Sequence, residues 1–533
     1  MRVGQVVAGA AVVVSGGLVA AAVRFHVEDS RLERIEGACT GDNCLPGSSS
    51  VDGWAHAFTV FGAIALLITV LVFIGVVAPP LKDRDGKITG PSPHRRRGWI
   101  ALPLAVVGLA AFLWPAGAWA ASLPGKARSV AWSLPYESTG PANGGTSYGS
   151  RSVRTLPAGG NFVRITPDAF TAYSLADGRR QWRTPVPPRR TVCGTGQRAA
   201  GDLALVGLAR FDQPCDELTL VDLATGRTRW QQKLRSDKYG SGDKTGTFAL
   251  AGRTAVALEA GRLRAFDAAT GKPAWTRPLG DRLLCRAGAL DASADRVLLM
   301  EECRKDYSTD ASVSRLIALD AGSGKQLWRT TLPVESRALT AWFASASPPV
   351  LRIKEMDARG VDAFLSYDDK GRSRAVLKVS RHTSGNANAN SETEGLIGLP
   401  AQARVVGDRL IAGAITPGET SVRWVGAFSL ADGGRQWLKR LPEPVTALLP
   451  GTDGRLSVLT RGDDTPYLAA YDLRNGRRLA APLGVLGSQT PNPSSATLLQ
   501  GQGTSVVVVN EDEPNRYSSD KRISAPVPVF AVR

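Results

Sequence analysis

Histidine is scarce in this chain: the 533 residues include four, His26, His56, His94 and His382, far apart in sequence. Neither His-x-x-x-His nor Cys-x-x-Cys spacing occurs, which excludes a zinc site built from neighbouring ligands. The Walker-type pattern G-x-x-x-x-G-K-[ST] is also absent, so no P-loop cradles a nucleotide phosphate. No two of the six cysteines are adjacent, and no acidic cluster stands out as a calcium and base site. Asp83-Arg84-Asp85-Gly86 opens like a calcium loop, but the later ligand positions are missing and the segment reads as solvated linker.

What the sequence does have is repetition. LTLVDLATGRTRW, Leu218 to Trp230, returns as TAYSLADGRRQW ending at Trp182, LRAFDAATGKPAW at Trp275, LIALDAGSGKQLW at Trp328 and VGAFSLADGGRQW at Trp437. Two worn copies, FLSYDDKGRSRA and LAAYDLRNGRRLA, carry Ala375 and Ala480 in the tryptophan slot. The slots recur every 43 to 62 residues, the spacing of a propeller or solenoid array. Each unit reads as a β-hairpin whose alternating strand, such as Ile317 and Leu319 on one face, leads into a two-residue turn. The turn glycine, Gly178, Gly226, Gly271, Gly324, Gly433 or Gly476, takes the positive φ such a turn demands. One indole per unit, on the returning strand, suits packing between neighbouring sheets and not a single ligand site.

These residues resemble the pyrroloquinoline-quinone-like β-propeller repeat, in which A-x-D-x-x-T-G-x-x-x-W docks one blade on the next; the resemblance covers roughly residues 125–533. It implies an all-β fold, an eight-bladed propeller of four-stranded antiparallel blades. Seven blades correspond to the slots, and the eighth is shared. Ala127 to Pro135 looks like a tryptophan strand without its partner, and Val529 to Val532 like the strand before a turn that never comes. A blade made from both chain ends fastens the ring and hides its edges. Trp132, Trp182, Trp230, Trp275, Trp328 and Trp437 are then the blade-docking residues. Residues 381–395 read as an inserted polar loop, and Glu511 to Lys521 as a second excursion within the closing blade.

Three uncharged runs precede the array and are long enough to cross a bilayer. We expect transmembrane helices over 1–24, 53–79 and 99–121, with Trp54, Trp99, Trp114 and Trp119 near the interfaces. The segment 25–52 and the domain 122–533 then lie outside the cytoplasm, because the 80–98 loop holds six Lys or Arg and the positive-inside rule puts it within. The expected location is the bacterial cell membrane, multi-pass, with a cytoplasmic N-terminus. The first span also ends in Ala20-Ala21-Ala22, as a signal peptide does, and Ala118-Trp119-Ala120 fits a cleavage site in the third.

All six cysteines fall in segments assigned outside, where disulfides persist. Cys193 and Cys285 come after Trp182 and Trp275 at matching distances, which places them in first strands of successive blades. The expected pairs are Cys193 with Cys215, Cys285 with Cys303, and Cys39 with Cys44. Most of the formal charge of +17 falls after residue 121, a field that attracts anionic head groups or acidic wall polymers.

The quinoprotein dehydrogenases of the resembled family hold quinone and calcium in the central funnel, beside an aspartate base and a vicinal Cys-Cys ring, which this chain cannot form. A second resemblance is to propellers of the outer-membrane assembly lipoprotein type, which use the repeat without cofactor; their lipobox cysteine is replaced here by three spans. The expectation is a membrane-anchored, non-enzymatic binding or scaffold propeller without cofactor. Its partners would be the bilayer and an envelope protein or anionic wall polymer, not nucleic acid. The alternative is a membrane dehydrogenase dependent on pyrroloquinoline quinone and calcium.

Overall fold

The computed structural model describes Val60 and residues 125–134 and 154–532, less 211–212, 236–246, 260, 281–283, 305–312, 337, 356, 358–359, 381–394, 418, 462–465, 487–495 and 511–528. The chain divides into two compact units, and nearly all the described residues belong to the one formed by Ala127–Arg461, Pro466–Ala480 and Val485–Arg533. That unit is the propeller. Apart from Val60, the three expected spans lie outside the described residues, as does the Cys39–Cys44 pair; among the described residues no helix is long and apolar enough to cross a membrane.

Eight antiparallel sheets succeed one another along the chain. Blades 1 to 7 run Arg154–Pro185, Arg190–Lys233, Phe248–Pro278, Leu284–Thr331, Ala338–Lys378, Gly395–Arg440 and Val445–Leu486. Blade 8 takes Ala496–Gln500, Val506–Asn510 and Val529–Val532 from the C-terminal end and Trp132–Leu134 from the other. Trp132 pairs with Ala531 and Leu134 with Val529, so the shared blade exists as a hydrogen-bonded sheet. Two blades depart from the four-strand plan: in blade 7 Gly125–Ser129 adds a fifth strand beside Arg478–Leu486, and in blade 6 the first strand is split. Gly395–Leu396 and Ala403–Val406 both pair with Arg409–Ile415, split by a short 3-10 turn at Pro400–Gln402.

The inner faces explain why the middle strands are apolar throughout and do not alternate. Ile317 and Leu319 pack on Val256 and Leu263 of blade 3. Leu316 and Ala318 turn the other way, onto Leu351 and Leu365 of blade 5. A strand buried on both faces has no polar side to show. The last strand of each blade is different: Arg180–Pro185, Pro273–Pro278 and Gln326–Thr331 alternate exposed and half-buried residues. The ring closes through one cluster in which Leu134, Val507 and Val529 of blade 8 meet Phe162 and Tyr173 of blade 1.

Two sequence expectations are corrected here. The turns are longer than two residues. Ser174 N–H donates to Arg179 O and Gly178 N–H to Ser174 O, enclosing Leu175 to Gly178, and Asp222, Asp267, Asp320, Ser429 and Asp472 close the same loop in their own units. The aspartate of the repeat caps it: Asp267 Oδ1 accepts the Thr270 amide and hydroxyl, and these bonds hold its carboxyl below the usual range. The glycine keeps its expected role, with φ of +70° at Gly178 and +72° at Gly226. The second correction concerns the cysteines. Cys193 and Cys285 belong to blades 2 and 4, not to successive blades. Blade 3 intervenes, with Phe248 opening its first strand, and this ring packs in one cluster with Cys193 and Cys215.

Candidate functional site

Every tryptophan of the array is committed to a seam. The Trp182 Nε1–H donates to Ala224 O at 3.0 Å, Trp230 to Ala268 O at 2.8 Å, Trp275 to Ala321 O at 2.9 Å and Trp437 to Leu473 O at 3.1 Å. Trp132 does the same across the closing seam, to Ala176 O at 3.1 Å, while stacking 6.2 Å from Phe162. A β-bulge lies just before Trp182, Trp230, Trp275, Trp328 and Trp437, as between Arg180 and Trp182, and each of these five reaches the turn glycine of the next blade from such a bulge. Trp328 sits over Gly371 in the same way, but its Nε1 has no hydrogen-bond partner. The turn it faces is one residue shorter, with Asp368 N–H donating to Arg372 O.

Blade 5 has no indole in the docking slot that faces blade 6, where Ala375 stands instead. At Gly433 an added Cβ would meet nothing closer than Val376 O at 3.7 Å and Ala375 Cβ at 3.8 Å, whereas at Gly226 it would lie 2.5 Å from the Trp182 ring. The carbonyl an indole would have used is satisfied otherwise: Ser366 Oγ donates to Leu430 O at 2.8 Å. Ser366 is the cross-strand neighbour of Ala375, in the place where Ala172, Ala265, Ala318 and Ala427 face their tryptophans. An Ala–Trp pair has become a Ser–Ala pair, and the lost ring leaves a groove of about 170 Å³. Val376, Leu377, Phe428 and Leu438 line it together with Lys378 and Arg435, and Val376 is 52% exposed.

A second cavity, of about 220 Å³, lies over blade 3, between Cys215 and Cys285. Cys193–Cys215 and Cys285–Cys303 are both joined, closing sequence separations of 22 and 18 residues. The one carboxylate lining this cavity, Glu259, is already held by Arg262 at 2.6 Å and Arg264 at 3.2 Å. Replacing Cys285 and Cys303 together by alanine is expected to cost about 3 kcal/mol of stability, from the freed loop of the unfolded chain. A denaturant midpoint unchanged from the parent's would show that the bridge adds nothing.

The first strands of neighbouring blades pack against one another and so line the axis. There, Arg198 Nη2 donates to Ala344 O of blade 5 at 2.8 Å and lies 3.3 Å from Asp291 Oδ2 of blade 4. Sequence reasoning misses this place, because no motif marks it; the residues come from blades far apart in the chain.

Would the axis hold quinone and calcium? Calcium needs several oxygen ligands. Asp291 offers the carboxylate, but its Oδ1 accepts the Ala292 amide and its Oδ2 faces Arg198. Among the described residues, Glu301 is the carboxylate that gathers near two potential metal ligands, Cys285 and Cys303, and those sulfurs are bonded to each other. The described residues do not fit the group.

Comparison with known proteins places these observations. One family model, described as the outer membrane protein assembly factor BamB, matches twice, over residues 150–284 and 259–373. A curated relative, the outer membrane protein assembly factor BamB of Burkholderia pseudomallei (strain K96243), is 30% identical over 215 residues, 39% of this chain. The chain spans about half (50%) of that relative's length. Among solved structures, BamB from Moraxella catarrhalis is 15% identical with a TM-score of 0.40, covering 71% of this chain and 93% of that one. A quinohemoprotein alcohol dehydrogenase from Comamonas testosteroni is 14% identical with a TM-score of 0.46, covering 76% of each. Scores this low bear on neither activity nor partner. The recurring turn and tryptophan, the eight sheets and the double match over residues 150–373 support a β-propeller built on the pyrroloquinoline-quinone-like repeat.

Proposed function

We propose that the propeller is a non-enzymatic binding scaffold, anchored in the cell membrane by its N-terminal spans and exposed outside the cytoplasm, where it docks an envelope protein. The groove at the seam of blades 5 and 6 carries this reading. Here Ala375 stands in the tryptophan slot and a largely apolar groove opens beside Gly433, as it does not at Gly226, Gly271, Gly324, Gly371 or Gly476, where an indole sits over the glycine. The flanking Lys378 and Arg435 suit a partner segment that brings acidic residues beside its apolar anchor. Two bridges per propeller support an oxidising compartment, and the name of the curated relative, an assembly factor, points to a protein partner.

The test fills the slot. Ser366→Ala with Ala375→Trp recreates the Ala–Trp pair of the sister seams and is expected to stabilise the fold by about 1–2 kcal/mol, from buried ring area and the restored N–H bond. A photoreactive side chain at Val376 should give one discrete adduct in intact cells. The double variant should abolish it. Loss of the reading would come from an adduct that survives the filled slot, or from stoichiometric uptake of pyrroloquinoline quinone with calcium by the full-length protein.

A further inference from the structure

The axis carries a charge imbalance that the scaffold role does not use. Arg154 opens the first strand of blade 1 and donates from Nη1 to Gln197 O at 3.0 Å. Arg198, next to Gln197, crosses the axis to Asp291 and Ala344. Arg404 stands in the inner strand Ala403–Val406 of blade 6, which packs against the inner strand of blade 5 that receives Arg198. Its Nη1 donates to its neighbour's carbonyl, Ala403 O, at 3.1 Å, and no described carboxylate lies within ion-pair reach. Arg198 and Arg154 thus act on one carboxylate, Asp291, while Arg404 has Arg198 as its charged neighbour.

Arg404 departs from the usual satisfaction of a buried charge, which is to be paired. Burial, reinforced by Arg198, pulls Arg404 down to about 10. Burial pushes the Asp291 carboxyl up, with Arg198 the chief opposing influence and Arg154 a smaller one. Arg404 nonetheless keeps a half-exposed edge, the situation of a group lining a narrow lumen and not one sealed in a core. A desolvated guanidinium with free donors, facing a second guanidinium, is the arrangement that takes a planar or tetrahedral oxyanion by two parallel N–H···O bonds.

We propose that Arg154, Arg198 and Arg404 form an axial binding site for a small oxyanion of the phosphate or carboxylate class. The anion would supply the missing negative charge between blades 2 and 6, with Asp291 keeping Arg198 extended across the lumen.

The experiment uses the full chain in detergent, with inorganic phosphate titrated against chloride at matched ionic strength and followed by thermal melting and calorimetry. Phosphate should raise the melting temperature saturably. Arg404→Gln should weaken apparent phosphate affinity by about tenfold or more, while leaving the anion-free melting temperature equal to or above the parent's, because it removes a repelled charge. Arg154→Gln is the second variant, read the same way should Arg404→Gln not fold. Succinate in place of phosphate distinguishes the two sources: a matching shift assigns the carboxylate class as well. The proposal is overturned if phosphate stabilises no more than chloride does, or if a folded variant binds it as tightly as the parent.

Discussion

A chain ending at residue 528 is expected not to close its ring. Val529, Phe530, Ala531 and Val532 are each 0–1% exposed, and Val529–Val532 is the strand to which Trp132–Leu134 hydrogen-bonds. Removing it takes about 6–8 kcal/mol of apolar burial, of the order of a domain's whole net stability of about 5–15 kcal/mol. It also leaves Val506–Asn510 as a bare sheet edge and strips Trp132 from its seat over Gly178. The truncated chain should lose its cooperative melt and become protease-sensitive through blades 1 and 8. Phe530→Ala, which leaves the ladder intact, should cost about 3–5 kcal/mol and still melt cooperatively. A truncated chain that melts like the parent would show that seven blades hold without the shared one.

This closure is legible in the sequence because both half-blades carry one half of a pattern repeated elsewhere. Ala127 to Pro135 has the tryptophan without the turn, and Val529 to Val532 the strand without the turn and its returning partner. Blade count and docking tryptophans come from the same regularity. The turn length is not legible, because a positive-φ glycine is shared by two-residue turns and by longer loops, and only the hydrogen bonds from Ser174 to Arg179 and Gly178 separate them. The pattern sets the cysteines one blade too close, because matching offsets from Trp182 and Trp275 hide the intervening Trp230. The groove is half legible: Ala375 marks a worn copy, but the compensating bond from Ser366 to Leu430 O depends on cross-strand register, which no linear pattern reveals. The axial arginines are not legible at all. Arg198 and Ala344 meet across 146 residues, and an array's period says which residues repeat, not which of the unrepeated ones face a common lumen.

The seam glycines allow the docking role to be measured with its own control. Gly226→Ala is expected to cost about 2–5 kcal/mol, from two sources. Alanine at φ of +72° carries about 1–2 kcal/mol of left-handed strain. Its Cβ would also lie 2.5 Å from Trp182 Cε3 and 2.7 Å from Thr184 Oγ1. Relieving that overlap moves the indole off Ala224 O and the hydroxyl off Gly226 O, both now 3.0 Å away, at a further cost of about 1–3 kcal/mol. Gly433→Ala carries the same strain, at φ of +77°, but its Cβ meets only contacts of 3.7 Å and beyond, so it should cost about 1–2 kcal/mol. Both are read from denaturant midpoints. The decisive comparison is Gly226→Ala in a Trp182→Ala background. With the ring gone, the substitution should fall toward the cost seen at Gly433, leaving only the overlap with the Thr184 hydroxyl, because residues in contact couple and distant ones add. Equal costs at Gly226 and Gly433 in the parent would mean that the indole yields freely, and that tryptophan does not fix the spacing of the blades.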